Sequence, residues 1–299
     1  MDGGILMGSR QGWREPIIEL LIAAVIVMVV WSQLVLKRDA FGVDALYPDI
    51  PNGMSWHAEW SGGEYVWSDD PWVALGSGDV RYRADGGVLS ISGATSRLYV
   101  RDPEGARQWG DIEVTIYARR TDDAGVPYSG IVTEVRTNHG MTGSLEDAPC
   151  DTRALSARLR FDGTADFGKE TKHPTTIATD PVLVFPGGMP YNEWIGYKHV
   201  VHDIDNGAGT HQELWMDLTG GAHGGDWELV ATHDDHVGDG FGEVACAPGI
   251  DPALPLVKGP RTGSESGLPN LSVLFRADDI GFNGLEYRSA SIREIVAPL

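Results

Sequence analysis

Residues 194–218 read WIGYKHVVHDIDNGAGTHQELWMDL, and they give the clearest indication of the fold class of the chain. Two runs within it, 194–204 and 212–218, alternate apolar and polar residues with the period of two that a strand requires. Between them lies Asp205-Asn206-Gly207, and an Asn-Gly pair is a strong signal for the tight turn of a hairpin. The stretch therefore predicts an antiparallel β-hairpin.

The same alternation recurs along the chain, and Asp162-Gly163 marks a second hairpin turn. Strand-like segments separated by turn residues lie at 80–82, 88–92, 97–100, 112–119, 131–137, 157–161, 165–169, 194–204, 212–218, 227–232, 271–277 and 285–295. No segment after residue 36 has a strong helical period. With 39 Gly and 17 Pro in 299 residues, the chain is predicted to be all-β, with a two-sheet antiparallel jelly-roll sandwich over residues 55–299.

The N-terminal part of the chain has a different character. Residues 17–36 read IIELLIAAVIVMVVWSQLVL, which is long enough to cross a bilayer as one transmembrane helix. The run is longer than the core of a signal peptide and no A-x-A-like cleavage site follows, so an uncleaved signal anchor is predicted. A short tail, residues 1–16, precedes the anchor, and a stalk, residues 37–54, follows it.

The net charge of −20 argues against nucleic acid as the main partner, because phosphate binding needs a basic surface. The two cysteines, Cys150 and Cys246, are either paired in a disulfide or two buried thiols. A disulfide would close a loop of nearly 100 residues and would imply an oxidising compartment. Basic residues are equal in number on the two sides of the anchor, so the expected orientation, with the C-terminal domain outside the cell membrane, rests on this disulfide and the β-rich domain.

One side of the predicted strands collects cationic and aromatic residues. The other side carries Ile112, Val114, Ile116, Val135, Leu159, Phe161, Leu214 and Met216, which we expect to fill the core. The polar set, which we expect to lie together on one sheet, is Tyr117, Arg119, Glu134, Arg136, Arg158, Arg160, Lys198, His202, Glu213, Trp215 and Arg276. This face is either a ligand-binding surface or a surface that is polar because water touches it.

Three segments resemble the concanavalin A-like jelly-roll superfamily, which includes lectins, glucanases and some polysaccharide lyases. They are Trp194-Ile-Gly-Tyr-Lys-His-Val-Val-His, Gln212-Glu-Leu-Trp-Met-Asp and Glu286-Tyr-Arg-Ser-Ala-Ser-Ile-Arg-Glu-Ile. The resemblance implies a lectin-like domain whose polar face binds a polysaccharide or glycan, with Trp215 stacking on a sugar. The paired-carboxylate strand of the glucanases is absent, because Glu213 and Asp217 would lie about 13 Å apart.

The segment Thr133-Glu134-Val135-Arg136 resembles a strand motif of alginate lyases, although Val132 replaces its leading arginine. This resemblance implies an alternative function, β-elimination on uronic-acid glycans. Arg136, Arg158 or Arg160 would then neutralise the substrate carboxylate, while Tyr117 and His202 would exchange protons. A third alternative is a structural surface or pilus-like protein, because Glu19 lies early in the apolar helix as in type IV pilins.

No cofactor or metal is expected from the sequence, and the oligomeric state is left open. Asp203, Asp205 and Asn206 match part of a calcium loop, but Leu214 stands where its closing glutamate would be. The segment 233–239 contains two histidines and three aspartates without a recognised metal-binding spacing, so a solvated loop is favoured. The segment 169–174 either lines the rim of a groove or forms a charged turn.

Overall fold

A computed structural model describes residues 37–64, 70–76, 79–122, 129–140, 148–239, 241–242, 244–259, 269–278, 280–281 and 284–298. The chain divides into two compact units, Met1–Lys37 and Arg38–Leu299. The predicted transmembrane helix, residues 17–36, lies outside the described residues. Within the described part of the chain, no helix has both the length and the apolar character needed to cross a membrane.

Strands dominate the described part of Arg38–Leu299, with one short 3₁₀ turn at Ala222–Gly224. The strands are β1 Ser55–His57, β2 Gly62–Glu64, β3 Val73–Leu75, β4 Arg81–Asp85, β5 Val88–Ser92, β6 Thr95–Arg101, β7 Ile112–Arg120, β8 Gly130–Thr137, β9 Ala154–Arg160, β10 Thr164–Lys172, β11 Thr175–Ala178, β12 Val182–Leu183, β13 Trp194–Ile204, β14 Gly209–Asp217, β15 Trp227–Asp235, β16 Ser272–Asp278 and β17 Leu285–Glu294.

The strands form two sheets. Sheet A has the order β15-β14-β13-β7-β17-β5-β4-β2, with β1 paired to β17. Sheet B has the order β11-β10-β9-β8-β16-β6-β3, with β12 paired to β10. Every pairing between these strands is antiparallel. The predicted all-β, two-sheet antiparallel sandwich is confirmed.

The hairpin predicted from residues 194–218 is also confirmed. Strands β13 and β14 pair from Gly196 opposite Asp217 to Ile204 opposite Gly209. Asp205 and Asn206 have φ values of 51° and 58° in the connecting turn, a region that Asn and Asp enter more readily than other residues with a side chain. The turn therefore fixes which residues of the two strands face one another.

The core lies between the inner faces of the two sheets. Because alternate side chains of a strand point to opposite sides, each sheet contributes one set of apolar residues to this core. The predicted core residues are all buried: Ile112, Val114, Ile116, Val135, Leu159, Phe161, Leu214 and Met216. The polar side of each strand then forms the outer face of its own sheet.

The segment before β1, which the sequence suggested as a stalk, lies from Arg38 onward against the outer face of sheet A. The backbone N–H of Leu46 donates to Glu113 Oε2 at 3.0 Å, and the hydroxyl of Tyr47 donates to Glu213 Oε1 at 2.7 Å. Arg293 Nη1 donates to the carbonyl of Tyr47 at 2.7 Å. The segment therefore covers the outer face of sheet A around Glu113, Glu213 and Arg293.

Cys150 and Cys246 form a disulfide, as one of the two sequence interpretations proposed. The bond joins two long connections that are 96 residues apart in sequence. A second link joins the sheets, because Lys169 of sheet B donates to Asp235 of sheet A at 2.6 Å and both side chains are fully buried. The disulfide therefore cross-links two connections, and the ion pair cross-links the two sheets.

Candidate functional site

The predicted polar face is divided between the two sheets, so the prediction that it lies on one sheet is wrong. Tyr117, Arg119, Lys198, His202, Glu213 and Trp215 belong to sheet A. Glu134, Arg136, Arg158, Arg160 and Arg276 belong to sheet B. The alternation of polar and apolar residues reports which side of a strand is buried, and each sheet of a sandwich buries one side. It does not report which sheet a strand joins.

Several sheet A residues of this set are buried by structural contacts. Lys198 Nζ donates to Glu113 Oε1 at 2.5 Å and lies 4.6 Å from the ring centre of Trp227. The hydroxyl of Tyr117 donates to Asp217 Oδ2 at 2.8 Å. Burial lowers the pKa of Lys198, and the carboxylate of Glu113 opposes this shift. Lys198 is therefore paired with Glu113, the carboxylate that also accepts from Leu46, and Tyr117 holds Asp217 at the end of β14.

Arg119 and Trp215 also lie on the outer face of sheet A. Arg119 Nε donates to Glu286 Oε2 at 2.6 Å, and its guanidinium lies 4.6 Å from the ring centre of Trp194. Trp215 Nε1 donates to Glu213 Oε2 at 2.6 Å. These two residues are therefore held by neighbours within their own sheet.

Arg136 departs from the predicted alternation because β8 contains a bulge. The pairing between β8 and β16 shifts between Ser272 and Leu274, and Arg136 has a φ of 55°. Its guanidinium turns away from the outer face, and Nη2 donates to Asp111 Oδ1 at 3.0 Å and Asp203 Oδ1 at 2.9 Å. The side chain is 1% exposed, so Arg136 is a buried cross-link between the sheets.

The three residues assigned to the lyase alternative do not form one site. Tyr117 pairs with Gly196 of β13, and His202 lies six residues further along the same strand. At about 3.3 Å per residue, this separates Tyr117 from His202 by roughly 20 Å. Arg136 is occupied by two aspartates within the sandwich. The structure therefore does not bring Tyr117 to His202, and Arg136 faces the interior of the sandwich.

The outer face of sheet B contains a pocket of about 240 Å³. Strands β8, β9, β10, β11 and β16 supply its walls. The polar lining consists of Glu134, Ser156, Arg158, Glu170, Thr176, Arg276 and Asp278. Three of the residues in the predicted face, Glu134, Arg158 and Arg276, therefore meet in one concave site.

Ion pairs hold the charged side chains of this pocket in position. Arg276 Nη1 donates to Glu134 Oε1 and Arg276 Nε donates to Asp278 Oδ2, each at 2.8 Å. These two carboxylates raise the pKa of Arg276 against the opposing effect of burial, so it stays charged. The face thus presents carboxylates and a guanidinium in a fixed arrangement.

Arg158 and Arg160 both donate to the carboxylate of Asp166, which is buried on the neighbouring strand. Within the described part of the chain, neither Glu134 Oε2 nor Arg158 Nη2 has a hydrogen-bond partner, and both atoms are buried. Buried polar atoms are nearly always bonded in folded proteins. Glu134 Oε2 is therefore an acceptor, and Arg158 Nη2 a donor, without a hydrogen-bond partner in the described part of the chain.

A row of aromatic and titratable side chains continues from Glu170 along the same face. The hydroxyl of Tyr99 lies 3.2 Å from His139 Nδ1, the rings of His139 and His173 are 5.5 Å apart, and His173 Nδ1 lies 2.8 Å from Glu170 Oε1. Burial lowers the pKa of His139 to about 4 and raises the pKa of Tyr99 to about 12. At neutral pH, His139 is therefore uncharged and Tyr99 keeps its proton.

The sequence indicated only part of this row. For residues 169–174 the sequence allows two interpretations, the rim of a groove or a charged turn. In the structure Glu170 lines the pocket. Tyr99 was missed, although it shares the strand side of Arg97 and Arg101, a pattern that could have found it. His139 follows the end of β8, where no strand period remains to indicate its direction.

Two groups of three side chains in the described residues could each hold a metal ion, with ligand atoms within 4.8 Å of one another. One group is His139, Glu170 and His173 on sheet B, and the other is His202, His211 and Glu213 on sheet A. The segment 233–239, which the sequence had suggested as a weaker metal candidate, forms neither group.

Solved structures similar to this chain include the carbohydrate recognition domain of Emp46p in a metal-free form, with 10% identity, a TM-score of 0.43, and coverage of 76% of this chain and 89% of that chain. Lectin II from Ulex europaeus has 10% identity, a TM-score of 0.41, and coverage of 80% and 97%. The PL-14 alginate lyase from Aplysia kurodai has 10% identity, a TM-score of 0.40, and coverage of 76% and 87%. No protein-family model and no curated protein matches the sequence.

Proposed function

We propose that this protein is a lectin-like carbohydrate-binding protein and that the glycan lies on the outer face of sheet B. The observation that supports this site most directly is the pocket of about 240 Å³, with its charged and hydroxyl-bearing walls. A concave site with a few converging polar groups is the usual form of a small-ligand site. Glu134 and Arg158, which line the pocket, each keep a buried polar atom without a hydrogen-bond partner among the described residues, Oε2 and Nη2, and bonding to a ligand requires these side chains to turn toward the pocket.

The pocket walls suit hydroxyl groups. Arg158 and Arg276 supply donors, and Glu134, Glu170 and Asp278 supply acceptors. A sugar hydroxyl both donates and accepts, so mixed walls of this kind can bond several hydroxyls at once. Because Arg276 is already paired with two carboxylates, the pocket lacks the net positive field that favours a polyanion. We therefore propose a hydroxyl-rich glycan of low charge as the ligand.

A glycan array probed with the full-length protein in detergent tests this proposal. We expect binding to a defined set of glycans, loss of that binding in Arg158→Ala, and retention in Trp215→Ala. Trp215 is the matched control because it belongs to the predicted face but lies on sheet A. Loss of binding in Trp215→Ala alone, or no binding to any glycan, would overturn the assignment to sheet B.

A polysaccharide lyase is the second candidate, and the pair Tyr99–His139 beside the pocket favours it. β-Elimination needs a base for a C–H proton and an acid for the leaving oxygen, and an imidazole hydrogen-bonded to a phenol at 3.2 Å places both kinds of group side by side. Absorbance of an unsaturated product, measured on uronate and neutral glycans, tests this candidate. Product formation that stops in His139→Gln supports a lyase, whereas no product from any substrate leaves binding alone.

We also propose that residues 17–36 anchor the protein in the cell membrane with its C-terminal domain outside. The support is the apolar run of 20 residues in the sequence and the disulfide, which suits an oxidising exterior. Alkaline washing of membranes should retain the full-length protein and release a variant without residues 1–36. Protease added to intact cells should digest the domain. Resistance of the domain in intact cells would contradict the proposed orientation.

A further inference from the structure

A cluster of two histidines and one glutamate lies on the outer face of sheet A, far from the glycan pocket in the strand order. His202 of β13 pairs directly with His211 of β14, and their ring centres are 5.1 Å apart. Glu213 lies two residues after His211, so its side chain points to the same side of the strand. One ligand atom from each of the three residues lies within 4.8 Å of the others.

In both histidines Nδ1 has an oxygen partner, which leaves Nε2 as the other possible ligand atom of the ring. His202 Nδ1 lies 3.3 Å from the carbonyl oxygen of Asp203, and His211 Nδ1 lies 2.5 Å from Asp234 Oδ1. His211 Nε2 is 3.5 Å from Glu213 Oε1. A histidine that binds a metal typically donates its other N–H to a carboxylate or a backbone carbonyl. Both histidines have this arrangement.

His202 Nε2 has no hydrogen-bond partner among the described residues, although the residue is only 4% exposed. An unbonded buried nitrogen is unfavourable and is rare in folded proteins. A bound cation would satisfy it, because the lone pair of a neutral imidazole is a good metal ligand. This atom is the observation, independent of the clustering, that points to a ligand.

The carboxylate of Glu213 is oriented by two neighbours. The hydroxyl of Tyr47 donates to Oε1 at 2.7 Å, and Trp215 Nε1 donates to Oε2 at 2.6 Å. Hydrogen bonds of this kind hold a ligating carboxylate in place around protein metal sites. The cluster thus has both the ligand atoms and the surrounding bonds of a metal centre.

We propose that His202, His211 and Glu213 bind a divalent transition-metal ion, with Zn²⁺ as the best fit. Two imidazoles and one carboxylate suit Zn²⁺, whereas Ca²⁺ and Mg²⁺ prefer oxygen ligands only. Tetrahedral ligands about 2.0–2.1 Å from zinc are ~3.4 Å apart. His211 Nε2 and Glu213 Oε1 are already 3.5 Å apart, and because all three ligand atoms lie within 4.8 Å of one another, no pair has to close by more than ~1.4 Å. Three protein ligands leave the fourth position to water. The ion would also fix Glu213, to which the segment before β1 is bonded through Tyr47.

Titration of the full-length, metal-free protein with Co²⁺, followed by competition with Zn²⁺, tests the site. The visible absorbance of tetrahedral Co²⁺ should appear in the wild type and disappear in His202→Gln and Glu213→Gln. Asp234→Asn should bind Zn²⁺ about 10–100-fold more weakly, because it removes the carboxylate that orients His211. The side chain of Asp234 is 46% exposed, so this variant tests the site without disturbing the core.

His173→Gln is the matched control, since it changes a histidine of the three-residue group on sheet B. It should leave the Co²⁺ spectrum and the Zn²⁺ affinity unchanged. The proposal is overturned if the wild type binds no Zn²⁺, if His202→Gln and Asp234→Asn bind it as the wild type does, or if His173→Gln alone removes it. Because glycan binding on sheet B is measured separately, either proposal can fail while the other stands.

Discussion

Replacing Lys169 with methionine should lower the free energy of unfolding by about 3–5 kcal/mol. Lys169 Nζ donates to Asp235 Oδ1 at 2.6 Å and to the carbonyl of Leu254 at 2.9 Å. Both charged side chains are 0% exposed, and Asp235 Oδ2 also accepts from the N–H of Leu256 at 2.8 Å. The variant therefore leaves a buried carboxylate without its cation at the junction of the two sheets.

The predicted loss of unfolding free energy corresponds to a decrease in the melting temperature. Domains of 150–250 residues change their Tm by about 2–4 °C per kcal/mol, so the variant should melt roughly 6–20 °C below the wild type. Methionine preserves the length and apolar stem of the lysine, which limits the contribution of a cavity. The predicted loss therefore reports the unpaired charge of Asp235.

The loss should also depend on pH. Burial raises the pKa of Asp235, and Lys169 opposes this shift in the wild type. A carboxyl group with a raised pKa in the folded state contributes stability below its unfolded pKa and loses it as the pH rises through the folded pKa. Without Lys169, the variant should be closest to the wild type near pH 4, close to the unfolded pKa of aspartate at ~3.9, and furthest from it near pH 8.

Urea denaturation at both pH values measures these differences, with the double variant Lys169→Met/Asp235→Leu as the control. Removing both charges should restore most of the stability, because an apolar pair of similar volume can replace a buried ion pair. A loss of less than about 1 kcal/mol in the single variant, or a double variant as unstable as the single one, would show that the unpaired charge of Asp235 is not what destabilises the protein.

Two further predictions concern the whole domain. Cys246→Ser, or reduction of the Cys150–Cys246 bond, should lower the free energy of unfolding by about 4–5 kcal/mol from loop entropy alone, and urea denaturation with and without reductant checks this. Hydrogen bonds to Glu213 lower its pKa in spite of burial. The free energy of unfolding should therefore fall as the pH drops below about 4.3, the pKa of glutamate in the unfolded chain. Glu213→Gln should flatten that part of the acid-unfolding curve. An equally steep curve in Glu213→Gln would contradict this.

The hairpin of β13 and β14 and the division into core and polar sides could be predicted from sequence. Both depend on local chemistry: Asn206-Gly207 specifies the turn, and the period of two specifies which side chains point inward. Paired cysteines were one of two open interpretations, because a disulfide requires proximity that sequence spacing alone does not provide. The turn and the inward side of each strand thus depend only on residue types and on residues close in sequence.

The site could not be assembled from sequence in the same way. Strand β7 joins sheet A and the next strand, β8, joins sheet B, so one polar pattern produced two outer faces. The bulge at Arg136 reversed the direction of one side chain that the alternation had placed outward. Tyr99 and Glu170 come together only through long-range strand order. Which residues line the pocket depends on the pairing of strands that are far apart in sequence, and the conformational preferences of single segments do not specify that pairing.

The most direct test of carbohydrate binding on sheet B is the dissociation constant of Glu134→Gln for the best glycan of the array. If the carboxylate bonds a sugar hydroxyl, losing that charged hydrogen bond removes about 1.5–3 kcal/mol and weakens binding roughly 10–100-fold. Glu286→Gln is the matched control, because Glu286 is a carboxylate bonded to an arginine on sheet A. We expect weak binding in Glu134→Gln and wild-type binding in Glu286→Gln. Wild-type binding in Glu134→Gln together with weak binding in Glu286→Gln would contradict it.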